Sequence, residues 1–443
     1  MVFWAVVNVA ISLIFVLSIK APLMRAYLIL NYVLIVNPTF MWTFFGIAHP
    51  RFIPGHGSYE IALIYMALFN LVLCCSFLVL MRLLPRSRFA RRHVLAHRIN
   101  TSEDTGRMVF IAVGLVALGV TGKLVLDSMG ALRMLDAGGT GPFLQAVKVL
   151  AGFDLLSIVL LGELRLSAKR RQKLLNSVLA SVLLISFILA VASGSRSQSV
   201  TVLLLGLLAY RDVVLHYRLV VVPVLALVIP VVFMLFPLLG HYRNHNYDLT
   251  EALYLLEKTN QDRYEIMLDV VATRLNYQET VARAVDVVQH QGPMGGAVYW
   301  NNIVGVIPRL IWEGKPSIDN DSRQIGHMLG IVTVDDTSTS IGLQVVGESF
   351  FEYGWLGLWV AVFQALIFTM IHKNLYCPGN RVGMTAYIFV SLYILQRDGY
   401  FAVVPGLIWL LIGFILFFGT FAVLMPRRRK PPSNETLPYR FSH

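Results

Sequence analysis

Charge is scarce in this chain. Only 14% of its 443 residues are Asp, Glu, Lys or Arg, against about 25% in soluble domains. With 56% hydrophobic residues and a mean hydropathy of +0.67, a water-soluble globular fold is excluded. The composition is that of a polytopic membrane protein. Acidic residues are scarcest, 25 against 37 Lys and Arg, leaving a formal net charge of +12. In a soluble protein such an excess would suggest nucleic acid. Here the basic residues gather in short loops between apolar runs, as the positive-inside rule expects, so no nucleic-acid partner is implied. Cysteine is nearly absent. Cys74 and Cys75 adjoin inside an apolar run and Cys377 lies near a basic loop, which excludes metal-ligand spacing and a disulfide framework. Internal repeats are lacking too. The N-terminal MVFWAVVNVAISLIFVLSIK has no basic n-region and no small-residue cleavage site, so it reads as a retained first span rather than a signal peptide.

What the chain does have is apolar runs, and a span needs about 20 such residues. Runs cover 2–19, 26–48, 60–83, 108–127, 142–164, 174–192, 197–210, 219–239, 354–372, 383–400 and 404–425. The seventh is short and is expected to be tilted or broken. The expected fold is all-α, a polytopic membrane helix bundle of about eleven spans with a long, largely helical periplasmic loop. The chain then divides into a bundle of eight spans (1–239), a periplasmic loop (240–353), three last spans (354–425) and a polar cytoplasmic tail (426–443) expected to be disordered.

Orientation follows from Lys and Arg. RLLPRSRFARRHVLAHR (82–98), RLSAKRRQK (165–173), RDVVLHYR (211–218), HKNLYCPGNR (372–381) and PRRRK (426–430) all fall on one side under this parity. That side is assigned to the cytoplasm. The long loop 240–353 falls on the other. Within it, residues 248–290 have helical periodicity, with Leu253, Leu256, Met267, Val271, Val281 and Val285 as candidate buried positions. Asp248 and Glu251 have the spacing of a capping box. Gly292, Gly295 and Gly296 punctuate the end, and an irregular segment follows.

Three polar clusters sit where so apolar a chain should avoid them. ASGSRSQ (192–198) places Arg196 in a Ser/Gly turn between two spans. A cation near the bilayer centre costs at least about 2.5 kcal/mol, so Arg196 calls for a partner or a position at the headgroups. Exposed backbone N–H groups at such a helix start suit an anion. GHYRNHNYD (240–248) places Arg243 with His241 and His245 at the outer interface. LQRDGYF (395–401) interrupts a helical hairpin with Arg397 and Asp398. Each cluster alone also fits an interfacial anchor or a turn-stabilising pair. Together they put an Arg in each of three outward turns, and IPRLIWEGKPSID (307–319) adds Arg309 and Lys315 on the same side. Arg offers planar bidentate donors for phosphate oxygens. Converging guanidiniums at one surface suggest an anionic, lipid-linked ligand, and a pyrophosphate is the natural match.

These stretches carry a resemblance. SGSRSQ, HYRNHN, IPRLIWEGKPS, GLQVVGESFFEYGWLG and LQRDG resemble the Wzy-type polysaccharide polymerases, the group of O-antigen and enterobacterial common antigen polymerases related to O-antigen ligases. Its strongest part joins the loop motif (Pro308, Trp312, Gly314, Lys315, Pro316) to the Arg-acid-Gly turn before the last span. Arg196, Arg243 and Arg397 fall where that family has arginines. Lys315 stands where some relatives have Arg, which favours a point charge over a bidentate contact.

The resemblance implies an enzyme of the bacterial inner membrane, with its active face in the periplasm. It would join undecaprenyl-pyrophosphate-linked oligosaccharide repeat units into a surface polysaccharide. Donor and acceptor would both be lipid-linked glycans within the bilayer, with a chain-length regulator and a flippase as partners. The resemblance implies no cofactor and no metal. Attack at the anomeric carbon expels a polyprenyl pyrophosphate, and preorganised arginines stabilise that leaving group. Arg196, Arg243 and Arg397 are assigned that role. The general base is sought among Asp398, Glu348 (read as a helix-start carboxylate), His241 and His245. Arg309, Trp312, Lys315 and His245 are assigned to substrate binding, with Trp312 either on a sugar face or in the aromatic belt. A glycan ligase of the same fold, a transporter of lipid-linked oligosaccharide and a structural scaffold remain as alternatives.

Overall fold

A computed structural model describes residues 1–45, 56–85, 102–128, 150–167, 172–193, 196–217, 277–297, 299–300, 321–331, 343–376 and 381–396, and single positions 147, 219, 223, 304, 307 and 312. Among the described residues the regular structure is entirely helical. Among the described residues, five helical stretches are long and apolar enough to cross a membrane: Pro22–Phe44, Gly57–Leu83, Met108–Ser128, Gln172–Ala192 and Gln344–Leu375. Val2–Ser18, Gln198–Ala209 and Met384–Leu395 are shorter apolar helices. The chain is an all-α membrane protein. Helices in a bilayer satisfy their own backbone groups, which is why apolar sequence of this length takes this form.

The first half begins with α1 (Val2–Ser18), α2 (Pro22–Asn31) and α3 (Asn37–Phe45). A π-helical turn, Tyr32–Val36, joins α2 to α3, with the Asn37 N–H donating to the Tyr32 carbonyl. Its cause is Pro38. Proline has no N–H and its ring crowds the carbonyl four residues back, so the helix widens there. The 28-residue α4 (His56–Leu83) follows, then α5 (Ser102–Ser128) and α6 (Phe153–Ser167). Gly119 and Gly122 let α5 and α6 meet backbone to backbone. A Cβ on Gly119 would lie 2.5 Å from the Asp154 nitrogen, and one on Gly122 would lie 2.9 Å from the Ala151 nitrogen. Small residues of this kind allow close helix crossings in membranes. Beside them the Lys123 ammonium and the Asp154 carboxylate form a buried ion pair, 2.5 Å apart.

Next come α7 (Gln172–Ala192), α8 (Arg196–Ala209) and α9 (Arg211–His216). The short seventh run, 197–210, is one uninterrupted helix that ends at Ala209, and a turn at Tyr210 separates it from α9. The loop contributes α10 (Tyr277–Gln291) and α11 (Asp321–Met328). Then α12 (Gln344–Tyr353) and a 3-10 turn (Gly354–Gly357) lead into α13 (Leu358–Leu375), and α14 (Arg381–Gln396) follows. Val281 and Val285 of α10 are fully buried, as their periodicity predicts. Gly292, Gly295 and Gly296 all take positive φ after α10, the conformation glycine adopts without a Cβ penalty. Leu253, Leu256, Met267, Val271 and the Asp248–Glu251 pair lie outside the described residues.

The two ends of the bundle differ in chemistry. Tyr65 of α4 abuts Gly357 at the start of α13, and the Lys373 ammonium near the end of α13 donates to the Leu84 carbonyl after α4. The two helices therefore run parallel, and the basic segments 82–98 and 372–381 leave from one end. The Leu23 N–H donates to the Tyr387 hydroxyl of α14 at 2.9 Å, and the adjacent Ile388 lines a small cavity with Gly162, Glu163 and Arg211. Around that cavity Arg211 pairs with Glu163 at 2.7 Å and Arg165 with Asp212 at 2.5 Å. Thus α4, α6, α8 and α13 reach one end of the bundle, with Arg82, Arg165, Arg211 and Lys373 there. The opposite end, near Tyr59 and Tyr65, holds α10 and α12.

Candidate functional site: a carboxylate and phenol cluster on α12

Every residue of α12 but its last, Tyr353, is buried. The helix is wedged between α10 and the upper part of α4, where Val281 of α10 faces Gly347. Glu348 lies in its second turn rather than at its start, 5% exposed, and Glu352 is fully buried one turn on. Residues four apart on a helix share a face, so both carboxylates serve one surface. Tyr299 packs there, its ring 5.3 Å from that of Tyr353. Burial pushes the Tyr299 phenol well above its ordinary value, and Glu348, Tyr65, Glu352 and Tyr353 push it further in the same direction. Tyr299 is therefore a neutral hydrogen-bonding phenol across the physiological range.

The scaffold under these groups is tight. The Ser349 hydroxyl donates to the Val346 carbonyl at 2.9 Å. Its one proton is thereby used, so the Tyr65 hydroxyl, 2.9 Å away, donates to it. Phe350 and Trp355 flank Tyr65 edge-on at 4.8 and 5.8 Å. At the C-terminus of α12 the carbonyls of Phe351 and Glu352 have no helical partner. The N–H groups of Met294 (3.1 Å) and Gly295 (2.8 Å) supply one each. Gly296, at φ +90°, lies where a Cβ would sit 2.6 Å from the Tyr353 hydroxyl oxygen. The three glycines after α10 thus bend the chain so that its backbone caps the helix bearing both carboxylates.

Polar contacts seat α10 on the bundle. Ser58 of α4 donates to Asp286 at 3.3 Å and to Gln289 at 3.4 Å, and Thr39 donates to Gln278 at 2.8 Å. Arg283 and Glu279 pair at 3.0 Å, four residues apart and largely buried. The same guanidinium donates to the Leu329 carbonyl after α11 at 3.0 Å. α10 is therefore an amphipathic helix riveted across the top of α4 and α12.

Of the residues singled out in the sequence, Glu348 stands in this cluster. Arg196 opens α8. Trp312 is 41% exposed. Arg243, Arg397, Asp398, His241, His245, Arg309 and Lys315 lie outside the described residues. Sequence reasoning passed over Tyr65, Tyr299, Ser349, Glu352, Glu279 and Arg283. For Glu352 a signal existed, since it stands four residues after Glu348 in an otherwise apolar run. Tyr65 and Tyr299 gave none, because tyrosine is common at membrane interfaces.

No curated protein and no solved structure matches the chain. A family model described as a domain of unknown function (DUF8712) matches residues 142–424. That interval holds α12, both its carboxylates and every one of the arginine turns. It covers more than half of the sequence, and the chain belongs to this family.

Proposed function

We propose that this protein is a glycosyltransferase of the polysaccharide polymerase type, joining undecaprenyl-pyrophosphate-linked oligosaccharide units at the outer face of a bacterial inner membrane. The resemblance of its arginine turns and of IPRLIWEGKPS to the Wzy-type polymerases supports this reading. The observation that carries it furthest is the buried pair Glu348 and Glu352, at the end of the bundle opposite the shared basic end. With the basic end in the cytoplasm, the carboxylates face the periplasm. There, lipid-linked donors already hold their energy in the glycosyl pyrophosphate bond. In this reading eleven spans surround a site roofed by the loop 240–353.

The chemistry divides between two kinds of group. A hydroxyl oxygen of the acceptor glycan attacks the anomeric carbon of the donor. The bond from that carbon to the pyrophosphate oxygen breaks, and the electron pair leaves on the polyprenyl pyrophosphate. Arg196, Arg243 and Arg397 meet that growing charge, gaining more in the transition state than in the ground state. The hydroxyl proton passes to the Glu348 carboxylate, which is positioned by the packing of α12. Tyr299, a neutral phenol beside it, can donate its one O–H and takes no proton. Arg309, Lys315 and Trp312 hold the glycan from the loop.

Glu348→Gln keeps the shape of the side chain and removes its basicity. Turnover in proteoliposomes is expected to fall by about 10²- to 10⁴-fold with little change in KM, the elution profile and melting temperature staying those of the wild type. Unchanged turnover in that folded variant would remove Glu348 from the chemistry.

A further inference from the structure

Buried polar atoms without partners recur between α1, α2, α4 and α13. On α1 the Asn8 amide donates to the Leu63 carbonyl of α4 at 2.9 Å, while its Oδ1 and the Ser12 hydroxyl one turn on are buried with no partner. Deeper along α4 the Asn31 amide of α2 donates to Asn70 Oδ1 at 3.1 Å, and Asn70 Nδ2 is left over. On α13 the fully buried Gln364 has both amide atoms unpartnered. The Tyr27 hydroxyl reaches toward the Asn31 and Gln364 amides and lies near Cys74, but the contact to Gln364 does not close into a hydrogen bond.

These groups form a line. Leu63, Asn70 and Cys74 lie along one helix, so at 1.5 Å per residue the line runs about 16 Å through the bundle. Its outer end is level with Tyr65, which donates to Ser349 beside Glu348. A buried amide or hydroxyl left unpaired forfeits its desolvation with nothing in return. Five such atoms along one seam would therefore be a large penalty for a helix bundle to carry. The seam presents both donors (Asn70 Nδ2, Gln364 Nε2, Ser12) and acceptors (Asn8 Oδ1, Gln364 Oε1). No charged residue occurs in α1, in residues 63–74 of α4 or in residues 358–371 of α13. A cation would want oxygens alone and an anion would want donors alone. A mixed neutral set suits a molecule that both gives and accepts hydrogen bonds.

We propose that this seam is a binding site for a short file of ordered water, reaching from Tyr27, Asn70 and Gln364 in the bundle interior to Asn8 and Ser12 at the level of Tyr65. Each water would meet two or more of the orphaned amide and hydroxyl groups, as buried waters do. The seam hydrates the interior next to the carboxylate helix, and it does so whatever reaction that helix serves.

Hydroxyl-radical footprinting by X-ray pulse, on the full-length protein in lipid nanodiscs and in ¹⁸O-labelled water, tests this. Radicals form from water at the site, so a buried aromatic beside bound water is labelled and a dry one is not. Tyr27 is expected to take up ¹⁸O about tenfold faster than Phe77 of α4, which is buried as well, since only the former has water partners beside it. Gln364→Leu removes two of those partners and is expected to bring Tyr27 down toward Phe77. Labelling of wild-type Tyr27 at the Phe77 rate would overturn the proposal without recourse to any variant. So would a folded Gln364→Leu protein whose Tyr27 is labelled as fast as before.

Discussion

A Cβ at Gly357 would lie 2.2 Å from the Ser349 carbonyl oxygen and 2.5 Å from the Tyr65 hydroxyl. The first of these is backbone and cannot swing away, so α12, α4 and the start of α13 are locked together at that point. Gly357→Ala is expected to destabilise the protein by about 1–3 kcal/mol, the usual cost of overpacking, and to disturb the Tyr65–Ser349 contact; a thermal melt in detergent reads the first effect. Asp212 offers a second test at this scale. Burial raises its carboxyl, but the hydrogen bond from Arg165, the Val213 N–H and the guanidinium charge outweigh that and hold it below its ordinary 3.8. A carboxyl depressed by folding adds stability at pH above its unfolded value and loses it as pH falls through the folded one. Wild type should therefore melt above Asp212→Asn at neutral pH, and the gap should close only below about pH 4. A gap that persists well below that range would show that the ion pair is not its source.

Among the elements, the joint between α5 and α6 is the clearest case of charge inside apolar surroundings. Lys123→Met leaves the Asp154 carboxylate buried alone, and a loss of about 3–5 kcal/mol is expected. Lys123→Met combined with Asp154→Leu removes both charges, and most of the loss should return, because two apolar groups of similar volume fit the same joint. Chemical denaturation of the two variants checks this; a double variant as weak as the single one would mean the pair does more than hold helices. The same elements show what the sequence discloses. Apolar runs located α1, α4, α5, α7 and α13 to within a few residues, because bilayer thickness fixes helix length. The end of α8 at Ala209 was legible as the end of a short apolar run. Glu348 was legible because a carboxylate in so apolar a stretch stands out. Its partners were not, since Tyr65 lies far away in the chain and meets Ser349 only through tertiary packing. The π-helical turn before Pro38 was likewise hidden, being a response of the backbone to a single ring.

For the whole molecule, the proposed function requires the basic end of the bundle in the cytoplasm and α10 and α12 outside. His290 on α10 is 74% exposed in its side chain, and Tyr217 after α9 is 56% exposed. In intact cells a membrane-impermeant maleimide is expected to label His290→Cys and to spare Tyr217→Cys until the membrane is opened. The reverse pattern would invert the orientation and put the carboxylates on the wrong side for a lipid-linked glycan. The family to which the chain belongs carries no assigned activity in its description, so direct chemistry must decide the reaction. Purified wild-type protein in liposomes, given undecaprenyl-pyrophosphate-linked repeat units with EDTA present, is the measurement to make. A gel ladder of products spaced by one repeat unit, lost in Arg196→Ala and Arg397→Ala, is the predicted result. Recovery of the cognate repeat unit unextended would contradict the polymerase, and its movement between leaflets would point to transport.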